Sequence, residues 1–159
     1  MAQNNESPGE KILANWKKLK DKPFGKILFS RAVGKLAAYT GTIKALVTDL
    51  NPGHCQSLLK ERKSNKNHLK SIHAVALINL GEMTSGLAVL SGMTSQVRGI
   101  LTKMEMEYII KAKGDLTAEC ICEIPEVKTD LDYQVQTTIK NSSGEVVAVG
   151  TFYWLLSRK

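Results

Sequence analysis

The start of the chain combines apolar and basic residues with the period of an α-helix. Within residues 9–21 the apolar side chains recur at intervals of three and four, with lysines between them. This spacing is typical of an amphipathic helix, which Pro23 would end. Residues 24–38 repeat the pattern, although they contain two glycines. The sequence therefore predicts two short N-terminal helices.

After these helices the pattern changes to that of β-strands. Residues 42–50 are rich in β-branched and apolar side chains, the turn sequence Asn-Pro-Gly-His follows, and residues 55–62 complete a second strand. Farther along the chain, Asn141-Ser-Ser-Gly144 separates two strand patterns and predicts a hairpin turn, and Gly114 predicts another turn. The remaining four predicted strands cover residues 99–113, 115–125, 132–140 and 145–156.

Residues 71–92 differ from both patterns because apolar side chains occupy nearly every side of about five helical turns. A helix that is apolar all round is a buried helix, and Ser71 is a suitable N-cap residue. Such a helix needs a surface that covers it, and a long, curled antiparallel sheet supplies one. The predicted fold is therefore α+β, a hotdog fold in which the sheet wraps around one long helix.

The chain length fits one domain. At 159 residues, two full domains would be cramped, so we expect a single hotdog domain. Residues 1–40 would form an N-terminal helical extension and residues 41–159 the hotdog core. With 43% hydrophobic and 23% charged residues, the composition is that of a globular protein.

The net charge of +7 is unevenly distributed. Residues 1–70 hold 14 Lys and Arg against 5 Asp and Glu, whereas residues 71–159 hold 8 against 10. A basic front half favours a polyanionic partner: a nucleic acid, a membrane surface or a phosphorylated ligand. Aromatic residues make up only 6% of the chain and are not interleaved with the basic loop, which disfavours nucleic acid.

Targeting and membrane signals are not expected. The first residues contain no apolar segment of a secretory signal, and the longest charge-free run has 15 residues, from Met83 to Val97, short of the roughly 20 that span a membrane. We therefore expect a cytoplasmic protein without an integral membrane segment. Three cysteines, Cys55, Cys120 and Cys122, do not suggest a disulfide framework or a well-spaced metal site, so we expect reduced thiols and no metal.

Glu82 is the most anomalous residue of the chain, because a glutamate is almost never fully buried unless it is paired or functional. It lies in the middle of the apolar helix, three residues after Asn79 and hence on the same face. One interpretation is a structural glutamate at the helix margin, facing solvent or an ion-pair partner. The other is a catalytic carboxylate.

The segment Asn67-His-Leu-Lys-Ser-Ile-His73-Ala-Val-Ala-Leu-Ile-Asn-Leu-Gly-Glu82 resembles the core motif of hotdog acyl-CoA thioesterases. The branch concerned includes the phenylacetate-pathway and 4-hydroxybenzoyl-CoA types. In that motif a His follows an Asn by six residues and an acidic residue follows the His by nine, the intervals found here. The sequence is most similar to an uncharacterised, thioesterase-like subfamily, and the resemblance covers roughly residues 40–156.

The resemblance implies a role for each motif residue. Glu82 would be the catalytic carboxylate, either a general base acting on water or a nucleophile. Asn67 would position the water or the thioester, and His73 would shape the site at the helix start. The backbone N–H of Ala74 or Val75 would polarise the thioester carbonyl, since free N–H groups at a helix start stabilise an oxyanion. Many relatives carry two glycines in place of Ala74 and Val75.

The helical spacing predicts that the site is shared between subunits. Residues 74 and 82 lie on one helix and are separated by about 12 Å at 1.5 Å rise per residue, so one thioester carbonyl cannot contact both. Glu82 of one subunit and the helix start of another would have to meet. We therefore expect a homodimer with antiparallel helices and two equivalent sites, or a homotetramer built from such dimers.

Further substrate contacts are expected from residues that flank the motif. In relatives a Ser or Thr on the strand after the helix often assists, and Thr102 is the nearest candidate. Lysines suit the phosphates of coenzyme A, although a solvated loop is the simpler interpretation of the basic segment. The candidate lysines are Lys63, Lys66, Lys111 and Lys113. The lysines of residues 11–26 could instead face a membrane surface.

The sequence favours an acyl-CoA thioesterase, a hydrolase that needs no cofactor besides the coenzyme A of its substrate. One alternative is a non-catalytic, regulatory protein that binds acyl-CoA, which the replacement of the two glycines by Ala74 and Val75 suggests. A hotdog dehydratase or isomerase acting on acyl thioesters is another. A Cys–His nucleophile at His54 and Cys55 is disfavoured, because adjacent strand residues point to opposite faces.

Overall fold

The structure is a computed structural model that describes residues 7–159. Three α-helices, α1 (Pro8–Leu19), α2 (Gly25–Leu36) and α3 (Ala74–Gly92), are joined by loops that include two short 3-10 turns at Thr40–Ile43 and Lys63–Asn65. The six strands are β1 (Leu46–Asn51), β2 (His54–Leu59), β3 (Val97–Tyr108), β4 (Leu116–Ile121), β5 (Leu131–Asn141) and β6 (Val146–Arg158).

The strands form one antiparallel sheet in the order β1-β2-β4-β5-β6-β3. Strands β1 and β3 are therefore the two edges of the sheet. Alternate side chains of the central strands are buried, as Val135, Thr137 and Ile139 are on β5, because successive residues of a strand point to opposite faces. This buried face packs against α3, which contacts all six strands.

The two predicted N-terminal helices are confirmed. Helix α1 begins with a capping box in which the Ser7 hydroxyl accepts from the Glu10 N–H at 3.0 Å and the Glu10 carboxylate accepts from the Ser7 N–H at 2.6 Å. Trp16 of α1 packs edge-on against Phe29 of α2, with ring centroids 5.1 Å apart. Both side chains belong to the core, so these helices are continuous with the domain.

The predicted strand over residues 42–50 is wrong in its first half, since the chain forms a 3-10 turn at Thr40–Ile43 and enters β1 only at Leu46. Backbone packing explains the difference. Gly41 lies so close to Gly34 of α2 that a Cβ atom on Gly41 would approach the Gly34 carbonyl oxygen to 2.5 Å. The apolar, β-branched composition of this segment does not reveal that contact.

The long apolar helix is confirmed as the core helix. Helix α3 is long and apolar enough to cross a membrane by length and composition, yet 72% of that stretch is buried inside the protein, as expected for a core helix. The N-cap prediction is wrong: His73, not Ser71, is the N-cap, and its Nδ1 accepts from the Val75 N–H at 3.1 Å. Ser71 instead belongs to the preceding loop, where Asn67 holds it.

Strand β3 ends earlier than the sequence predicts. Beyond Tyr108, both Ile109 and Ile110 donate their N–H groups to the Val147 carbonyl, so the β3–β6 ladder ends there and the predicted extension to residue 113 is wrong.

The predicted turns at Gly114 and Gly144 are confirmed, because both glycines adopt positive φ angles of 73° and 82°. One buried helix against a six-stranded antiparallel sheet is the predicted hotdog fold.

Candidate active site

Glu82 lies in the middle of α3 with its side chain half-buried. Burial raises the pKa of its carboxyl group, because removal from water disfavours the charged form. In the part of the chain that the structure describes, no group donates a hydrogen bond to this carboxylate. An acidic side chain that is desolvated and unpaired is poised to accept a proton.

The other polar side chains of α3 differ from Glu82 because each has a hydrogen-bond partner. Their hydroxyl and amide groups satisfy backbone carbonyls, either within the helix or in the segments that pack on it. The contacts are Asn79 to Tyr39, Thr84 to Leu80, Ser85 to Glu82 and Ser91 to both Asn51 and Ala88. Among the polar residues in the body of this helix, only the carboxylate of Glu82 has none within residues 7–159.

A small space lies beside Glu82 because Gly86, one turn later, has no side chain. A Cβ atom placed on Gly86 would be 3.9 Å from Glu82 Oε1 and 3.7 Å from Trp154 Cη2. Trp154 is buried on β6, and its indole N–H has no partner among the described residues. Neither Gly86 nor Trp154 is predicted from the sequence as a site residue. Gly86 follows Glu82 by four residues, and Trp154 points to the inner face of β6. These positions indicate a shared site only once the sheet register is known.

The start of α3 presents one free backbone donor. His73 caps Val75 through its side chain, and the N–H groups of Ala76 and Leu77 bind the His73 carbonyl. Of the two proposed oxyanion donors, Val75 is thus occupied, and the N–H of Ala74 has no acceptor among residues 7–159. Ala74 is exposed, so a ligand can reach this N–H.

Asn67 organises the loop before α3. Its Oδ1 accepts hydrogen bonds from the Leu69 N–H at 2.9 Å, from the Ser71 N–H at 3.2 Å and from the Ser71 hydroxyl at 3.1 Å. The backbone N–H of Asn67 binds the Ser71 carbonyl at 2.8 Å. The loop therefore fixes the amide plane through its oxygen, and the Nδ2 amide group remains as the donor that could contact a ligand.

The basic loop encloses a shallow cavity of about 550 Å³ next to this amide. Lys66 is neutralised there by Glu61, with Nζ and Oε1 2.6 Å apart, whereas Lys63 and Lys70 form no ion pair within the described residues. Hydrogen bonds from Lys66 and from the Gly114 N–H lower the pKa of Glu61. The complete lining is Glu61, Arg62, Lys63, Lys66, Asn67, His68 and Lys70.

The segment that contains Lys111 and Lys113 lies beside the same loop. Glu61 Oε2 accepts from the Gly114 N–H at 2.6 Å, and the Ala112 carbonyl accepts from the Ile72 N–H at 2.9 Å. Both lysines are exposed. The structure therefore brings residues 111–114 to the loop at residues 61–72, a contact that follows from the tertiary fold.

Thr102 sits at a bulge in β3, where the register with β6 shifts between Leu101 and Lys103. Its side chain is exposed, and its hydroxyl donates to the Tyr153 carbonyl at 3.1 Å. Tyr108, which the sequence analysis did not consider as a site residue, reaches the helix start: its hydroxyl donates to the Ala74 carbonyl at 3.3 Å. The period-two pattern of β3 could have indicated that Tyr108 shares a strand face with Met106, whose Cε lies 3.3 Å from the position of a Cβ atom on Gly81 of α3.

The three thiols differ in their surroundings: Cys122 is half-buried, and a hydrogen bond from Cys120 lowers the pKa of its thiol. Cys55 and Cys120 are buried and pair across β2 and β4, and burial raises the pKa of the Cys55 thiol. Among residues 7–159, no group of three His, Cys, Asp or Glu side chains is arranged to hold a metal ion. The polar groups that the described chain leaves without a partner around α3 are the Glu82 carboxylate, the Asn67 Nδ2 group and the Ala74 N–H.

Comparison with known proteins adds a family and a set of similar folds. The family model described as "Domain of unknown function (DUF4442)" matches residues 25–156. No curated protein matches the chain. A probable thioesterase of unknown function from Pseudomonas aeruginosa superposes with a TM-score of 0.76 at 22% identity, covering 87% of this chain and 97% of that one.

Two further solved structures share the fold. A hypothetical thioesterase from Streptococcus pneumoniae, solved with coenzyme A, has a TM-score of 0.65 at 21% identity and covers 79% of this chain and 98% of that one. A mutant thioesterase from Staphylococcus aureus has a TM-score of 0.66 at 19% identity, covering 76% and 98% of the two chains. At such identities the likeness establishes the fold.

Proposed function

The chain belongs to the DUF4442 family, within a hotdog, thioesterase-like fold, and from this premise we propose that it is an acyl-CoA thioesterase. The reaction is hydrolysis of an acyl thioester to a free acid and coenzyme A. The observation that carries the proposal is Glu82, the half-buried carboxylate without a hydrogen-bond partner in the described chain, on an otherwise satisfied core helix.

In the proposed mechanism Glu82 acts on the carbonyl carbon of the thioester. As a general base it takes a proton from water, and the resulting hydroxide adds to that carbon. As a nucleophile it would attack the carbon itself, and water would then hydrolyse the anhydride. In both cases the carbon–sulfur bond breaks, the electron pair leaves on sulfur, and a proton returns to the thiolate of coenzyme A.

The start of α3 would stabilise the negative charge that develops on the carbonyl oxygen. The Ala74 N–H is free of other acceptors within residues 7–159 and lies at the positive end of the helix dipole. The Nδ2 group of Asn67 is a second donor for the water or the thioester, because the Asn67 oxygen is held by the loop.

The proposed site needs two subunits, since eight residues of helix separate Ala74 and Glu82 by about 12 Å. The edge of β3 is suited to self-association. It is a 12-residue edge strand on which Ile100, Met104 and Tyr108 are exposed, and an unpaired apolar edge is a template for pairing. Two copies joined there in antiparallel fashion would bring Glu82 of one copy toward Ala74 of the other.

The basic cavity beside Asn67 would hold the phosphates of coenzyme A. Lys63 and Lys70 line it without an ion-pair partner in the described chain, and phosphate oxygens suit lysine ammonium groups. Lys111 and Lys113 lie on the adjacent segment. The relative from Streptococcus pneumoniae was solved with coenzyme A, which supports a ligand of this class.

The test is hydrolysis of an acyl-CoA panel, followed by release of the free thiol, with wild-type protein, Glu82→Gln and the matched control Glu126→Gln. Glu126 is exposed on a surface loop and pairs with Lys128. We expect Glu82→Gln to lower kcat by roughly 10²- to 10⁴-fold, the usual contribution of a general base, and the control to retain activity. Wild-type activity in Glu82→Gln would contradict the mechanism.

The shared site has its own test. We expect Met104→Asp on the β3 edge to give a monomer without activity, because it places a charge in the proposed interface. Ile121→Asp is the control, since Ile121 is equally apolar and 73% exposed but lies on β4. Light scattering measures the mass. A fully active monomer would refute the two-subunit site.

A non-catalytic acyl-CoA-binding protein is the second candidate. It is favoured by one observation: His73 occupies the Val75 N–H, so the helix start offers a single donor, Ala74, to the carbonyl oxygen. Calorimetric titration with a non-hydrolysable acyl-CoA analogue distinguishes the two functions. Saturable binding by a protein that turns over no member of the panel would assign the binding function.

A further inference from the structure

A second, larger cavity lies at the other end of the sheet from the proposed interface. Its volume is about 910 Å³, and it is enclosed by α2, the 3-10 turn at Thr40–Ile43 and the ends of β1 and β2. Strand β1 is the sheet edge opposite β3, whereas the space at Gly86 beside Glu82 is flanked by Trp154 of β6, the neighbour of β3. The cavity has the size of a small-molecule site.

Part of the cavity wall is apolar. Leu46 and Leu58, which are direct partners in the β1–β2 ladder, contribute one side, and Ile27 of α2 contributes another. Met83 of α3 reaches the cavity from the core. A hydrocarbon chain placed there would be removed from water, and burial of apolar area is the main favourable term in binding such a chain.

Another part of the wall is cationic. Arg31, Lys35, Lys44 and Lys60 line the cavity, and no acidic side chain does. None of these four cations forms an ion pair with any residue of the described chain. Like charges that converge on one concave surface repel one another, and an anion placed among them relieves the repulsion.

The walls of the cavity are fixed by hydrogen bonds before any ligand arrives. The Ser30 hydroxyl accepts from the Val47 N–H at 2.8 Å and ties α2 to β1. Arg62 donates to the Ile43 carbonyl at 3.1 Å and to the Lys44 carbonyl, so its guanidinium holds the 3-10 turn in place. A preformed site spends little binding energy on ordering the protein.

We propose that this cavity binds a medium-chain fatty carboxylate, with the hydrocarbon tail against Leu46, Leu58 and Met83 and the carboxylate among the four cations. A compact anion would leave the apolar wall unused, and a neutral lipid would leave the cations unpaired. The ligand is a free acid, so binding does not depend on thioester hydrolysis. Failure of every acyl-CoA assay therefore leaves this proposal standing.

The test is calorimetric titration of the full chain with octanoate, decanoate and dodecanoate below their micelle thresholds. We expect binding to tighten about fourfold for each methylene added. Dodecanol should bind at least tenfold more weakly than dodecanoate. Equal affinity for the alcohol, no gain with chain length, or no binding at all would overturn the proposal.

Charge-reversal variants locate the site. We expect Arg31→Glu/Lys35→Glu to weaken dodecanoate binding at least tenfold, because both residues line the cavity. The matched control is Lys17→Glu/Lys18→Glu, which changes the net charge equally on an exposed face of α1. Circular dichroism and melting verify that each variant is folded. Equal weakening in the two double variants would assign the effect to overall charge and overturn the proposal.

Two further experiments distinguish binding in this cavity from binding elsewhere on the protein. Glu82→Gln should bind dodecanoate as wild type does. Loss of binding in that variant would show that dodecanoate binds at the α3 site and would overturn the proposal. Phe24, which precedes α2, and Leu28 of α2 are 77% and 52% exposed. These apolar side chains could contact a membrane surface, so sedimentation with vesicles containing an anionic phospholipid is included. Vesicle binding without binding of free dodecanoate would assign α2 to a membrane surface and refute the carboxylate site.

Discussion

Replacing Glu82 by glutamine should make the protein more stable at neutral pH while it removes the proposed catalytic group. The wild-type carboxylate is half-buried, and no group in residues 7–159 donates a hydrogen bond to it. A charged group in that position loses solvation without compensation. Glutamine has nearly the same shape and no charge, so the desolvation cost of the anion disappears.

The size of the gain follows from the partial exposure of the site. A fully buried, unsatisfied polar group costs about 1–3 kcal/mol. Because Glu82 keeps some contact with water, the lower end applies, and we expect about 1 kcal/mol at pH 8. For a domain of this size that corresponds to a rise of roughly 2–4 °C in Tm.

The pH dependence of the gain provides an internal check. The folded-state pKa of Glu82 is raised by burial, so the folded protein binds more protons than the unfolded chain between the unfolded and the folded pKa. Wild-type stability therefore falls as the pH rises through that window. Below it, Glu82 is protonated in both states, and wild type and Glu82→Gln should be equally stable.

Urea denaturation at pH 8 and at a pH below 4 measures both quantities, with protein concentration held constant because association shifts apparent stability. Glu126→Gln, on the surface, should change stability by no more than about 0.5 kcal/mol at either pH. Destabilisation by Glu82→Gln at pH 8, or an equal gain at both pH values, would refute the desolvated carboxylate.

Four further outcomes are expected. Gly86→Ala should stabilise α3 by about 0.5–1 kcal/mol, because its Cβ meets only ordinary contacts, and lower acyl-CoA turnover by filling the space beside the carboxylate. Gly81→Ala should instead lower stability by about 1–2 kcal/mol, since its Cβ would lie 2.8 Å from the buried Phe152 ring; melting curves compare the two. Asn67→Asp keeps the oxygen that holds the loop, so it should lose turnover but retain the Tm of wild type. Asn67→Ala should lose turnover and lower the Tm. Equal turnover in Asn67→Asp and wild type would exclude the amide donor. The acid limb of the pH profile of kcat/KM should have its midpoint above the ordinary glutamate pKa of about 4.3, because burial raises the pKa of Glu82. A midpoint at or below that value would contradict the role of Glu82 as general base.

Local patterning determined the type of most elements. The helical period of residues 9–21 and 24–38, the apolar residues on all sides of 71–92 and the turn glycines at 114 and 144 each specify a structure through nearby residues alone. The element boundaries were less well determined. The end of β3 depends on Val147, which accepts from both Ile109 and Ile110, and that partner is almost 40 residues away in the chain.

The candidate site shows the same division. The sequence identified Glu82 as anomalous, because one charged residue among apolar positions is visible without coordinates. It could not show that the other polar side chains of α3 are satisfied, that the Val75 N–H is occupied by His73, or that Trp154 borders the same space. Each of these facts joins atoms whose distance depends on packing.

The basic front half of the chain illustrates what only the tertiary structure decides. The sequence indicated an excess of lysines and arginines in residues 1–70 but not where they meet. The fold places Lys63 and Lys70 in a cavity beside Asn67, and Arg31, Lys35, Lys44 and Lys60 around another. Charge is a property of composition, whereas a binding site requires several charges on one concave surface, and sheet order and helix packing decide which residues share it.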